Sequence, residues 1–162
     1  MNKYSIIELY ARVLFMNIAL IFPGQGSQYI GMGKDFFDNS EVSRSIFNNL
    51  DETMGMNMSE LIFNGSEEEL SKTTNSQPAI MSVSIAILRE INARGLLNNN
   101  KIHSVAGHSL GEYSALVANN SLSFKDSVKL LIIRSEAMQK SMPIGTGGMA
   151  AVLGQSEKEI LL

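Results

Sequence analysis

The chain has 162 residues, 44% of them hydrophobic and 18% charged, which is enough apolar material for the core of one domain and too much for a disordered segment. A net charge of −3 with no run of like charges leaves no basic footprint for nucleic acid. With no cysteine and only His103 and His108 as histidines, disulfides, thiolate metal sites and a histidine zinc cluster are excluded, and the composition fits a reducing cytoplasm.

Residues 1–15 place Ile6, Ile7, Leu9, Tyr10, Val13 and Leu14 on one side of a short helix interrupted by Lys3, Glu8 and Arg12. The segment is too short and too charged to cross a membrane, and it lacks the small-residue cleavage site of a secretory signal. It is read as an extension upstream of a natural start at Met16, with a docked amphipathic helix as the alternative.

From Asn17 to Phe22 the chain reads as a buried strand, which Pro23-Gly24-Gln25-Gly26-Ser27-Gln28 would stop with a glycine-rich turn. A polar, helix-prone stretch spans 34–51, and Ser66 with Glu69 three residues on forms a capping-box pattern. Gln77-Pro78 is expected to open a longer helix with proline in its first turn, burying Ile80, Val83, Ile85, Ile87, Leu88 and Ile91 and ending near Gly95. Asn98-Asn99-Asn100 is a polar loop before a short β-branched run at 102–106. A helix is expected over 112–118 with Leu116 and Val117 on its apolar side. Ser123 caps a further helix over 124–142, broken by Pro143-Ile144-Gly145-Thr146-Gly147-Gly148. A strand at 149–153 and a helix opened by Ser156 complete the series. Strands separated by helices imply βαβ units and a parallel sheet covered on both faces.

Between the run at 102–106 and the helix after it stands Gly107-His108-Ser109-Leu110-Gly111, a G-x-S-x-G pattern where a strand-to-helix turn would present a nucleophilic serine. A serine hydroxyl is a weak nucleophile at neutral pH, so the turn must lift Ser109 clear and set N–H donors against the oxyanion that forms. Gly107 and Gly111 permit the crowding of such a turn, and the Leu110 N–H is left at a helix N-terminus, where negative charge is favoured. The plainer alternative is a tight turn with a capping serine. His108 adjoins Ser109, but neighbouring residues on this turn point apart, so it is assigned packing or hydrogen bonding, and His103 a structural role.

Four motifs taken together resemble the malonyl-CoA:acyl carrier protein transacylases of fatty acid synthesis. They are Ile21-Phe22-Pro23-Gly24-Gln25-Gly26-Ser27-Gln28, Gln77-Pro78-Ala79, Gly107-His108-Ser109-Leu110-Gly111-Glu112, and Arg134 on the following helix. The resemblance covers nearly the whole chain from residue 17 onward. It implies an α/β-hydrolase-like parallel sheet with helices on both faces over 16–143 and the start of a ferredoxin-like subdomain over 144–162, both incomplete. By the same resemblance, Ser109 takes malonyl from malonyl-CoA as an ester and passes it to the phosphopantetheine thiol of acyl carrier protein. It makes the backbone N–H groups of Gln25 and Leu110 the oxyanion hole, and it sets Arg134 against the malonyl carboxylate, which a guanidinium grips with a two-pronged fork. Gln77 is placed near the nucleophile, and Met138 and Met149 line the acyl pocket, with ordinary core packing an equal reading for the methionines. No cofactor or metal is implied, and neither nucleic acid nor membrane is a partner.

Members of that family run to about twice this length and carry the serine's histidine downstream of the matched region. The chain by itself is therefore expected to be weakly active or inactive and to expose apolar faces that make it associate. Two other classes remain: a non-catalytic remnant, and a serine esterase or patatin-like hydrolase, which would share the elbow but have no use for Arg134. A domain of a modular polyketide synthase is disfavoured by the near-terminal first motif.

Overall fold

The computed structural model describes residues 17–97, 101–141, 147 and 152–160. Strands β1 (Asn17–Phe22) and β2 (Lys101–Gly107) pair in parallel, with Phe22 opposite Gly107. The register shifts between Ile18 and Ala19, so β2 carries one extra residue, His103, at that point, a local bulge. Parallel pairing requires a long crossover, and five helices supply it: α1 (Lys34–Asn39), α2 (Glu41–Met54), α3 (Met58–Asn64), α4 (Glu67–Ser71) and α5 (Thr73–Ala93). After β2 come α6 (Gly111–Ala118), α7 (Phe124–Ser141) and α8 (Glu157–Ile160). The α/β organisation and parallel pairing are as expected.

Several elements differ from expectation. The helix-prone stretch at 34–51 is two helices, because Ser40 sits in extended backbone (φ −138°), ends α1 and caps α2 through Ser43 N–H to Ser40 Oγ at 3.1 Å. Helix α3 was not anticipated; Asn57 caps it, accepting from Glu60 N–H at 3.3 Å. The long helix starts at Thr73 rather than at Gln77, so Pro78 lies inside it. Proline there forgoes one i to i−4 bond near the N-terminal end, a loss that the surrounding buried packing outweighs. Of the apolar face as read, Ile80, Ile85 and Leu88 are buried, whereas Val83, Ile87 and Ile91 are half-buried. On α6, Val117 is buried but Leu116 is 38% exposed, since adjacent helical residues point about 100° apart. The Ser66 box is half formed: Ser66 accepts from Glu69 N–H, while the Glu69 carboxylate pairs with Lys72. Val152 and Leu153, the described part of the strand expected at 149–153, lie in no strand, and residues 1–15 are outside the described residues.

The core sits among the helices. Helix α5 packs against α2, α6 and α7, and Phe47, Leu50, Met58, Ile62, Met81 and Ile85 are fully buried around it. Phe37, Phe47 and Phe63 form an aromatic triad with ring centroids 5.1 to 5.7 Å apart, a spacing at which edge and tilted contacts add to burial. Helix α6 packs against both strands. Leu20 and Val105 pack toward the core, whereas Ala19 and Ile21 point away and Ile21 is 80% exposed. Helical cover is thus found on one face of the described sheet and not on both.

One buried polar contact ties α5 to the α1–α2 corner. Ser40 Oγ donates to Glu90, and Arg94 Nε lies 2.6 Å from the same carboxylate, which holds Glu90 below the usual glutamate value of 4.5. A depressed pKa means that the stabilisation is complete above the unfolded value and is lost as pH falls through the folded one. Ser40→Ala should therefore cost about 1 kcal/mol from the lost cap alone. It should also raise the Glu90 pKa, both being measurable by urea melts at pH 7 and pH 4. Equal stability of variant and parent at pH 7 would contradict this role.

Candidate active site

Because β1 and β2 run in parallel with Phe22 opposite Gly107, the loops that follow them leave the sheet at the same end. Pairing continues one residue further, with His108 N–H donating to Phe22 O at 3.0 Å. The next residue, Ser109, has φ 56°, a left-handed conformation that non-glycine residues occupy at a cost of roughly 1–3 kcal/mol and that clusters at functional sites. Helix α6 begins at once, through Gly111 N–H to His108 O at 2.9 Å and Glu112 N–H to Ser109 O at 3.1 Å. This reversal leaves Ser109 exposed and drives Leu110 into the core, where it is fully buried. A Cβ added to Gly107 would lie 2.0 Å from the backbone of Gly111, so the turn closes only without a side chain there.

The loop after β1 lies against the elbow. A Cβ on Gly24 would meet His108 Nδ1 at 2.4 Å, which places the imidazole against this loop. Ser27 Oγ donates to Gly24 O at 2.9 Å, and Gly26 N–H to Gln28 Oε1 at 2.8 Å, folding the loop on itself. Gln25 turns its side chain away, its amide donating to Thr73 Oγ1 at 3.3 Å. The backbone N–H groups of Gln25 and Leu110 donate to no acceptor among the described residues. Thr73 was missed from sequence, since a hydroxyl 48 residues away carries no local signal.

Three of the expected residues converge on Ser109. Arg134 Nη2 donates to Ser109 Oγ at 2.9 Å and Nη1 to Gln77 Oε1 at 2.5 Å, while the Gln77 amide nitrogen donates to Met138 Sδ at 3.4 Å. Gln77 is fully buried, and Pro78 beside it is buried as well. Among the described residues Arg134 has no carboxylate partner, and Glu136, its nearest acidic neighbour in sequence, pairs with Lys140 instead. The site therefore holds a guanidinium charge beside an exposed hydroxyl, a combination that suits an anionic substrate group. No imidazole or carboxylate hydrogen-bonds Ser109 among the described residues. Met149 lies outside them.

A family model described as acyl transferase domain matches residues 19–161. The malonyl CoA-acyl carrier protein transacylase of Bacillus subtilis strain 168 is 46% identical over 143 residues, covering 88% of this chain and 44% of that protein. The crystal structure of an acyl-carrier-protein-S-malonyltransferase from Bartonella henselae superposes with a TM-score of 0.83 at 44% identity, over 90% of this chain and 46% of that one. A further structure, a type II PKS acyl-carrier protein in complex with its malonyl-transacylase, gives a TM-score of 0.73 at 38% identity, over 78% of this chain and 40% of that one. The chain thus spans less than half the length of the relatives it matches.

Proposed function

The chain belongs to the acyl transferase domain family, and from that premise we propose that it carries the serine-bearing part of a malonyl-CoA:acyl carrier protein transacylase of fatty acid synthesis. The observation that carries this reading is the contact of Arg134 with both Ser109 and the buried Gln77, which puts a fixed cation beside an exposed nucleophile. In the proposed reaction Ser109 Oγ attacks the thioester carbonyl of malonyl-CoA, and the N–H groups of Gln25 and Leu110 hold the oxyanion. The C–S bond breaks, coenzyme A leaves as the thiol with the serine's proton, and malonyl stays as an ester. The phosphopantetheine thiol of acyl carrier protein then attacks that ester and restores the hydroxyl. The proton passes through a histidine that the resemblance places in the part of the family beyond the length matched here. The steps call for no metal or cofactor.

Arg134 would grip the free carboxylate of malonyl, with Gln77 holding the guanidinium in place and Met138 and Met149 beside the acyl chain. A charged, hydrogen-bonded pair of this kind favours malonyl over acetyl by about one to two orders of magnitude. Arg134→Ala should erase that preference, read as the ratio of malonyl to acetyl ester formed, whereas an esterase would be indifferent to it.

The pairing of β1 with β2 and the elbow between β2 and α6 support an α/β-hydrolase-like arrangement for 16–143; the start of a ferredoxin-like subdomain over 144–162 rests on the family resemblance alone. No described helix is long and apolar enough to cross a membrane, and the proposed substrates place the protein in the cytoplasm. The test is intact mass and peptide mapping after incubation with malonyl-CoA. A malonyl adduct on Ser109 supports the proposal, and an unmodified Ser109 with the fold intact means that this chain does not form the ester by itself.

A further inference from the structure

The Arg134 guanidinium is engaged by two neutral acceptors and no anion among the described residues. Nη1 is held by Gln77 Oε1, and Nη2 rests on Ser109 Oγ. These two holds are unequal. Gln77 is fully buried and its other amide end is occupied by Met138 Sδ, so its carbonyl stays turned toward Arg134; rotating the amide would set donors against donors. Ser109 is exposed, and its oxygen is a neutral acceptor that any carboxylate outcompetes for a guanidinium.

We propose that Arg134 is a clasp with two positions, capping the Ser109 oxygen when no acyl group is bound and moving its Nη2 onto the carboxylate of an incoming anionic acyl group while Nη1 stays on Gln77. This inference rests on the proposed carboxylate role of Arg134 and adds how the nucleophile is kept quiet. A donor on the Oγ lone pair draws off the electron density with which that oxygen must attack. Only a substrate that carries its own carboxylate removes the donor, so discrimination against neutral acyl groups is exercised at the nucleophile as well as in the pocket. Gln77 is then a positioning residue, the fixed pivot of the exchange.

The exchange predicts a competition that needs no catalysis to be seen. Binding of malonate to the chain, followed through the Arg134 side-chain NMR signals and by calorimetry, must displace Ser109 from the guanidinium. Ser109→Ala should therefore bind malonate roughly three- to tenfold more tightly than the parent, because the competing acceptor is gone. Arg134→Ala should not bind it, and malonamide, which is neutral, should bind to none of the three. If alanine distorts the elbow, Ser109→Gly makes the same test, since glycine accepts φ 56° without strain. Equal or weaker malonate binding by both Ser109 variants would overturn the clasp while leaving the carboxylate role of Arg134 standing. Absence of malonate binding in the parent and in the Ser109 variants would overturn that role itself.

Discussion

Ser109→Ala is expected to abolish the malonyl ester outright, leaving the intact mass of the chain unchanged after incubation with malonyl-CoA. The side chains that meet at the site are the Arg134 guanidinium, the Gln77 amide and the Met138 thioether, none of which accepts an acyl group under these conditions, and the chain has no cysteine to take over. In other serine enzymes, loss of the nucleophile costs about six orders of magnitude in turnover, because the remaining groups stabilise a transition state that can no longer form. The fold should survive, since alanine fits a left-handed residue no worse than serine and Ser109 is exposed. The same adduct on Ser109→Ala would sink the assignment of Ser109 as nucleophile.

Gly107→Ala should be the most damaging single substitution for stability. The added methyl would stand 2.0 Å from both the carbonyl carbon and oxygen of Gly111 and 2.4 Å from Glu112 N. All three atoms are backbone at the start of α6, so no side chain can swing aside, and either β2 or the helix must move. The relief available on the other side is small, because a Cβ at Gly111 would itself meet Phe22 O at 2.5 Å, which means the elbow is pressed against the end of β1. Overpacking that forces side-chain and backbone shifts costs about 1–3 kcal/mol and occasionally more, and a clash with three backbone atoms should lie at or above the upper figure. Urea denaturation followed by circular dichroism would report it; a midpoint within error of the parent would show that the elbow is far softer than its geometry implies. A mass-spectrometric acylation assay on the same variant should fail even where the protein folds, because displacing α6 carries Leu110 and its N–H with it.

The local features were legible in the sequence wherever a residue's chemistry acts over a few neighbours. Gly107 and Gly111 around Ser109 announced a turn that only glycine can close, and the left-handed Ser109 has the geometry that the pattern demands. Ser66 and Ser123 announced their helices because an N-cap bonds two or three residues ahead, as Ser123 does with Asp126 N–H at 3.0 Å. The β1 strand was visible from its run of apolar residues alone. Boundaries were less so. Proline at 78 suggests a first turn by its missing N–H, yet α5 starts at Thr73, since burial of the segment from Ser76 to Ser82 outweighs one absent hydrogen bond.

What the sequence by itself determined is the candidate nucleophile and the kind of backbone that presents it, because both depend on contacts a few residues apart. Tertiary structure alone decided what surrounds that group. Arg134 lies 25 residues from Ser109 and 57 from Gln77, separations at which no local pattern ties the three together. Only the packing of α5 against α7 buries Gln77 where its carbonyl can draw the guanidinium inward, and only the parallel pairing of β1 with β2 brings the Gln25 loop to the elbow. Such contacts follow from how apolar faces find one another across the chain, and that information is not held in any local run of residues.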